Sequence, residues 1–118
     1  MSSSAAPGWS RVAVAKDAVL AQIVDRLVRA LAPERIYLFG SQARGDTHRD
    51  SDYDILVVVG ERTAPGYQME HRAYQALGGL GIAKDVVIMT RERFNRQREV
   101  IASLPATVER EGRLLYAA

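Results

Sequence analysis

Two aspartates stand one residue apart at the head of an apolar run, Asp52-Tyr53-Asp54-Ile55-Leu56-Val57-Val58-Val59. Alternate side chains of an extended segment share a face, so Asp52 and Asp54 fall on the same side. Neighbouring carboxylates repel and raise each other's pKa values. A divalent cation is the usual remedy, and Mg²⁺ prefers hard carboxylate oxygens while keeping waters or phosphate oxygens in its shell. The pair alone is read equally well as a solvated, Asx-rich turn ahead of a strand. A third carboxylate, Asp85, opens a similar apolar run, Asp85-Val86-Val87-Ile88-Met89. If the two runs are neighbouring strands, the three carboxylates converge at one end of a sheet. Upstream, Phe39-Gly40-Ser41-Gln42-Ala43-Arg44-Gly45 puts a Gly-Ser pair just after an apolar segment and at a helix start. Glycine lets a backbone approach a ligand, and free N–H groups at a helix start attract phosphate. The Ser41 hydroxyl adds a hydrogen bond, and Arg44 can pair with a phosphate or a nearby acid. No Gly-Lys-Ser/Thr follows, so this is not a Walker A loop.

The elements that must position these residues follow from the apolar spacing. Leu20, Ile23, Val24, Leu27 and Leu31 recur at three- and four-residue steps and predict a helix over about Arg11–Leu31, which Pro33 stops. Ile36–Phe39 and Asp52–Val59 read as strands, and a short helix starts at Ser41. Tyr67–Leu77 reads as a helix ended by Gly78, Gly79 and Gly81, and Asp85–Met89 as a third strand. Thr90 is an N-cap for a helix running to about Leu104. Pro105–Glu111 adds a last helical turn or two with Gly112 as its C-cap, and Arg113–Tyr116 an edge strand. The order is αβαβαβαβ, which predicts an α/β or α+β domain with one small mixed sheet flanked by helices. Residues 1–10 are read as a flexible tail and 11–118 as a single domain.

Composition sets limits. The 118 residues are 47% hydrophobic and 25% charged, an ordinary globular balance that excludes a disordered or collagen-like chain. Sixteen basic and 14 acidic residues leave a net charge of +2, too small an excess to argue for nucleic acid. Absence of cysteine removes disulfides and thiolate chemistry. No apolar run approaches the roughly 18 residues of a membrane span, and Met1–Trp9 lacks the pattern of a signal peptide. The expectation is a cytoplasmic protein without a membrane partner.

Gly40-Ser41, ten residues, then Asp52-x-Asp54 resembles the signature of the DNA polymerase beta-like nucleotidyltransferase superfamily. The fuller strings Phe39–Gly45 and Asp50-Ser51-Asp52-Tyr53-Asp54-Ile55, with the closing Glu111–Tyr116, are similar to its minimal nucleotidyltransferase (MNT) branch. Ile55 and Tyr53 depart from the common residues, at positions that do not touch the metal chemistry. The resemblance implies the polymerase beta-like fold. It implies two Mg²⁺ ions on Asp52 and Asp54, with Asp85 joining one of them and helping to remove the acceptor proton. Gly40 and Ser41 would bind the triphosphate of ATP, and Ser51 would support the loop. Larger members of the superfamily carry further domains that hold the acceptor. A chain this short resembles the antitoxin half of toxin–antitoxin modules, in which the partner is a HEPN-type ribonuclease toxin and AMP passes to a tyrosine hydroxyl on it. Two alternatives stand beside that reading: an antitoxin that neutralises its partner by binding alone, and a subunit of a small-molecule, antibiotic-type nucleotidyltransferase.

Other polar residues read more plainly. His48 and His71 are isolated and read as polar surface. Arg91, Arg93, Arg96 and Arg98 read as a solvated face, with an acidic partner or an RNA backbone as the alternative.

Overall fold

A computed structural model describes residues 18–40, 43, 52–61 and 63–118. The described elements are α1 (Ala18–Leu31), β1 (Arg35–Phe39), β2 (Tyr53–Val59), α2 (Gly66–Ala76), β3 (Lys84–Thr90), α3 (Arg91–Gln97), α4 (Leu104–Glu111) and β4 (Arg113–Ala117). The strands form one open, mixed sheet in the order β3-β2-β1-β4. β1 runs antiparallel to both β2 and β4, whereas β2 and β3 are parallel. The parallel pair needs a crossover, and α2 supplies it. This is the α+β class that the alternation of patterns predicts.

Strand period two sorts the core into two halves. Ile36, Leu38, Ile55, Val57 and Val86 face α1 and α2, where Leu20, Ile23, Val24, Leu27, Met69 and Ala73 close over them. Tyr37, Leu56, Val58 and Met89 face α3 and α4 through Phe94 and Val108. Ile55–Val59 is buried on both faces, so the uninterrupted apolar run of β2 is that of a strand covered on both sides. Each such side chain contributes on the order of 1.5–3 kcal/mol by leaving water. The rings of Tyr37 and Phe94 stack at 5.6 Å between centroids, and the Arg35 guanidinium lies 5.0 Å over Phe94, which anchors α3 to the sheet.

α1 ends as Pro33 predicts, but through a left-handed residue: Ala32 has φ 47 and its N–H bonds the Val28 carbonyl at 3.0 Å. Arg26 of α1 then donates to the carbonyls of Ala76 and Gly78, at 3.2 and 2.9 Å, and so finishes the C-terminal end of α2. The expected N-terminal extension of α1 over Arg11–Asp17, the tail over residues 1–10 and the helix starting at Ser41 lie outside the described residues.

The helix expected from Thr90 to about Leu104 is two helices. Thr90 caps as predicted, its Oγ1 accepting from the Arg93 N–H at 3.2 Å. The helix stops at Gln97, because Ser103 folds back. The Ser103 hydroxyl donates to the Gln97 carbonyl at 2.6 Å and accepts from the Ala106 N–H at 3.2 Å, capping α4. Val100 and Ile101, which a continuous helix would need to bury, are exposed instead. Gly112 stands at the C-cap of α4 in extended rather than left-handed backbone. It is small for a packing reason: a Cβ there would lie 2.7 Å from the Val108 carbonyl oxygen and 2.9 Å from that of Leu38.

Candidate active site

The topology brings three chain segments to one rim of the sheet. Antiparallel pairing sets Phe39, the last residue of β1, opposite Asp54, and parallel pairing sets Asp54 beside Asp85. Asp54 alternates with Leu56 and Val58, and Asp85 with Val87 and Met89, so both carboxylates lie on the α3–α4 side of the sheet. Asp52 lies one residue before β2, near enough for its charge to act on Asp54.

Gly40 follows directly on Phe39. It adopts φ +75, and a Cβ built there would fall on Asp54 Oδ2 and 3.2 Å from Asp54 Cγ. Two demands thus meet at this glycine: the left-handed turn off β1, and the close approach of its backbone to the Asp54 carboxylate. Asp54 is partly buried, whereas Asp52 and Asp85 are exposed. Burial pushes the Asp54 carboxyl above its ordinary range, and the charges of Asp85 and Asp52 push it the same way.

This electrostatic arrangement suits a hard divalent cation, which relieves both the repulsion and the desolvation felt by Asp54. The donor set is all carboxylate oxygen, as Mg²⁺ prefers. Among the described residues no three acidic, histidine or cysteine side chains are gathered closely enough to hold a metal ion by themselves. The three carboxylates form an open rim that water and phosphate oxygens would have to complete.

Tyr74 was not among the residues singled out by sequence. It sits on α2, and its hydroxyl reaches around the edge of the sheet to β3. There it accepts from the Val86 N–H at 3.0 Å and lies 3.4 Å from Asp85 Oδ1, a long hydrogen bond. Lys84 Nζ stands 6.0 Å from the centroid of its ring. Helical periodicity placed Tyr74 on α2, but no local pattern tells where a phenol reaches across a crossover.

Ser41, Arg44, Ser51 and His48 lie outside the described residues. His71 is exposed, as polar surface. The arginine-rich face of α3 is largely neutralised by its own surroundings: Arg91 pairs with Glu34, Arg96 with Glu92 and Arg98 with Glu109. A shallow depression of about 300 Å³ lined by Gly60, Glu61, Thr90, Arg91 and Glu92 lies at the opposite ends of β2 and β3. At roughly 3.3 Å per residue it is about 20 Å from Asp54 and has no part in the rim.

Comparison with known proteins fits this geometry. A chain from a crystal structure of a toxin–antitoxin complex with AMP-PNP is 26% identical, with a TM-score of 0.51 over 81% of this chain and 72% of that one. A protein of Sulfolobus solfataricus described as a candidate nucleotidyltransferase is 25% identical, with a TM-score of 0.53 over 76% of this chain and 84% of its own. A chain of the MntA–HpeT toxin–antitoxin, in a mutant form, is 22% identical and shares the fold, with a TM-score of 0.54 over 84% of this chain and 73% of that one. Comparison with the curated proteins returns no match. The nucleotidyltransferase domain family matches residues 19–113, from α1 through the first residue of β4, so that β1, β2 and β3, and with them both carboxylate-bearing strands, fall within it. The chain belongs to the nucleotidyltransferase domain family.

Proposed function

We propose that this chain transfers AMP from ATP to a hydroxyl of a partner protein in a Mg²⁺-dependent reaction, as the antitoxin of a toxin–antitoxin pair whose toxin is of the HEPN type. Family membership supports nucleotidyl transfer as the reaction class. The similarity to a toxin–antitoxin chain crystallised with AMP-PNP, an ATP analogue, supports an adenine nucleotide and a protein partner. The observation that carries the reading is the rim itself: a glycine without a Cβ set against Asp54, with Asp85 in register beside it.

Asp52, Asp54 and Asp85 are the residues that would hold the cation. Bound there, it would neutralise triphosphate charge and polarise the α-phosphate. Gly40 leaves its backbone open to phosphate, and Ser41 would add a hydroxyl donor. Asp85, exposed at the rim, accepts the proton of the acceptor hydroxyl. The acceptor oxygen forms a bond to the α-phosphorus, the bond from that phosphorus to the bridging oxygen breaks, and pyrophosphate leaves.

The test is the intact mass of the partner toxin after incubation with this protein, ATP and Mg²⁺. It should rise by one or more AMP units, and the rise should vanish with Asp52→Ala. A toxin silenced equally by wild type and Asp52→Ala, without any mass change, would show a binding antitoxin instead.

A further inference from the structure

The geometry points to Tyr74 as a positioning residue that fixes the Asp85 carboxylate for the proposed transfer, and the inference rests on that reading of the rim. Among the described residues β3 is an edge strand, with β2 on one side only. The Tyr53 N–H bonds the Ala83 carbonyl at 2.9 Å, so Ala83 and Asp85 turn their backbone groups toward β2 and Val86 turns its own outward. The outward Val86 N–H is taken by the Tyr74 hydroxyl at 3.0 Å. A phenol oxygen that accepts an N–H has one proton left to donate, and the acceptor facing it is Asp85 Oδ1 at 3.4 Å.

The consequence is directional. An exposed aspartate on an edge strand is otherwise free to exchange rotamers. With Oδ1 tied to Tyr74, Oδ2 is the oxygen left toward the rim for a cation or an acceptor proton. The ring is itself placed from both sides. Its helix is fixed at the C-terminal end by Arg26 on the carbonyls of Ala76 and Gly78, and Lys84 Nζ approaches its face at 6.0 Å. Tyr74 does not need to touch substrate to act; it acts through Asp85.

Edge capping alone would produce the same tyrosine, so the test separates its two contacts by a double-mutant cycle. Tyr74→Phe keeps the ring and the Lys84 contact and removes only the hydroxyl. Mn²⁺ binding to the nucleotide-free protein, followed by the EPR signal of free Mn²⁺, should weaken by about tenfold, the scale seen when a group that orients a metal ligand is lost. In the transfer assay kcat should fall while KM for ATP holds. Tyr67→Phe, one heptad earlier on the same helix, where the hydroxyl meets Gln68 rather than Asp85, should leave both unchanged. In an Asp85→Ala background, Tyr74→Phe should have no further effect on Mn²⁺ binding. Equal Mn²⁺ affinity of wild type and Tyr74→Phe would overturn the inference and leave the proposed function standing. A loss that persists undiminished in the Asp85→Ala background would overturn it too, assigning the loss to the Val86 contact. Wild-type protein that fails to bind millimolar Mn²⁺ would remove the proposed site, and this inference with it.

Discussion

Replacing Gly40 by alanine tests the site at its tightest point, and Gly79 provides the control. Both glycines have left-handed backbone, φ +75 and φ +87. Around Gly79 a new Cβ meets nothing within 4 Å, so Gly79→Ala carries only the conformational cost. That cost is about 1–2 kcal/mol for an L-residue held in this region, offset in part by the lower entropy of the unfolded chain. The net loss is about 1 kcal/mol, or about 5 °C in melting temperature for a domain of this size. Gly40→Ala carries the same cost and one more. Its Cβ falls on Asp54 Oδ2, and the carboxylate must retreat by about 1.5 Å to reach ordinary van der Waals separation. Asp54 can swing, so the extra loss of stability is modest. The loss of function is not, because a displacement of about 1 Å at a reacting centre costs on the order of 100-fold in rate. Thermal melts and an ATP-dependent transfer assay on both variants are the measurements. The two should melt within a few degrees of each other while only Gly40→Ala loses transfer. Gly40→Ala with activity within about threefold of wild type would refute the close approach as a functional feature.

Three further outcomes follow from the geometry. The Asp54 carboxyl is raised by burial and by Asp85 and Asp52, so its folded-state pKa exceeds its unfolded one and the folded state holds the proton more tightly. Its contribution is therefore most favourable at acid pH and is lost as pH rises through the raised value. In EDTA, Asp54→Asn should melt higher than wild type at neutral pH and show a flatter pH dependence between the ordinary aspartate value and the raised one; an unchanged slope in parallel melts would contradict this. Ala32→Gly relieves a left-handed alanine at the end of α1 and should stabilise by about 0.5–1 kcal/mol, readable in urea unfolding. Arg26→Ala frees the carbonyls of Ala76 and Gly78 and should cost about 1–2 kcal/mol, with hydrogen exchange rising first at the end of α2.

The carboxylate rim was legible in the sequence because it depends on strand geometry alone. Period two suggests one face for Asp52 and Asp54, and the parallel pairing of the two apolar runs, which the sequence left as a condition, sets Asp85 beside Asp54. The short strand ending at Phe39 and the edge strand from Arg113 also read correctly, each being set off by turn residues. What was not legible depended on contacts distant in sequence. The break at Gln97 is made by a serine six residues on, whose hydroxyl serves two helices at once. Gly112 is the C-cap that the sequence reads, but its packing role was not legible: the Leu38 carbonyl, far away in the chain, lies against it. Tyr74 carried no local signal at all, since its role comes from reaching round a strand edge it does not belong to.

The capped Val86 N–H bears on how another chain can add to this sheet. An open strand edge is a template for strand addition, useful for docking a partner and hazardous for aggregation. On β3 the Tyr74 hydroxyl occupies the outward donor beside Asp85, so an incoming strand would have to displace a tertiary contact before it could pair there. Among the described strands the opposite edge belongs to β4, where Leu114 is partly exposed. β-augmentation by a second polypeptide is thus steered toward β4, across the width of the sheet from Asp85. A polypeptide that pairs there leaves the carboxylates uncovered, whereas one that presents a hydroxyl to them must arrive by side chains.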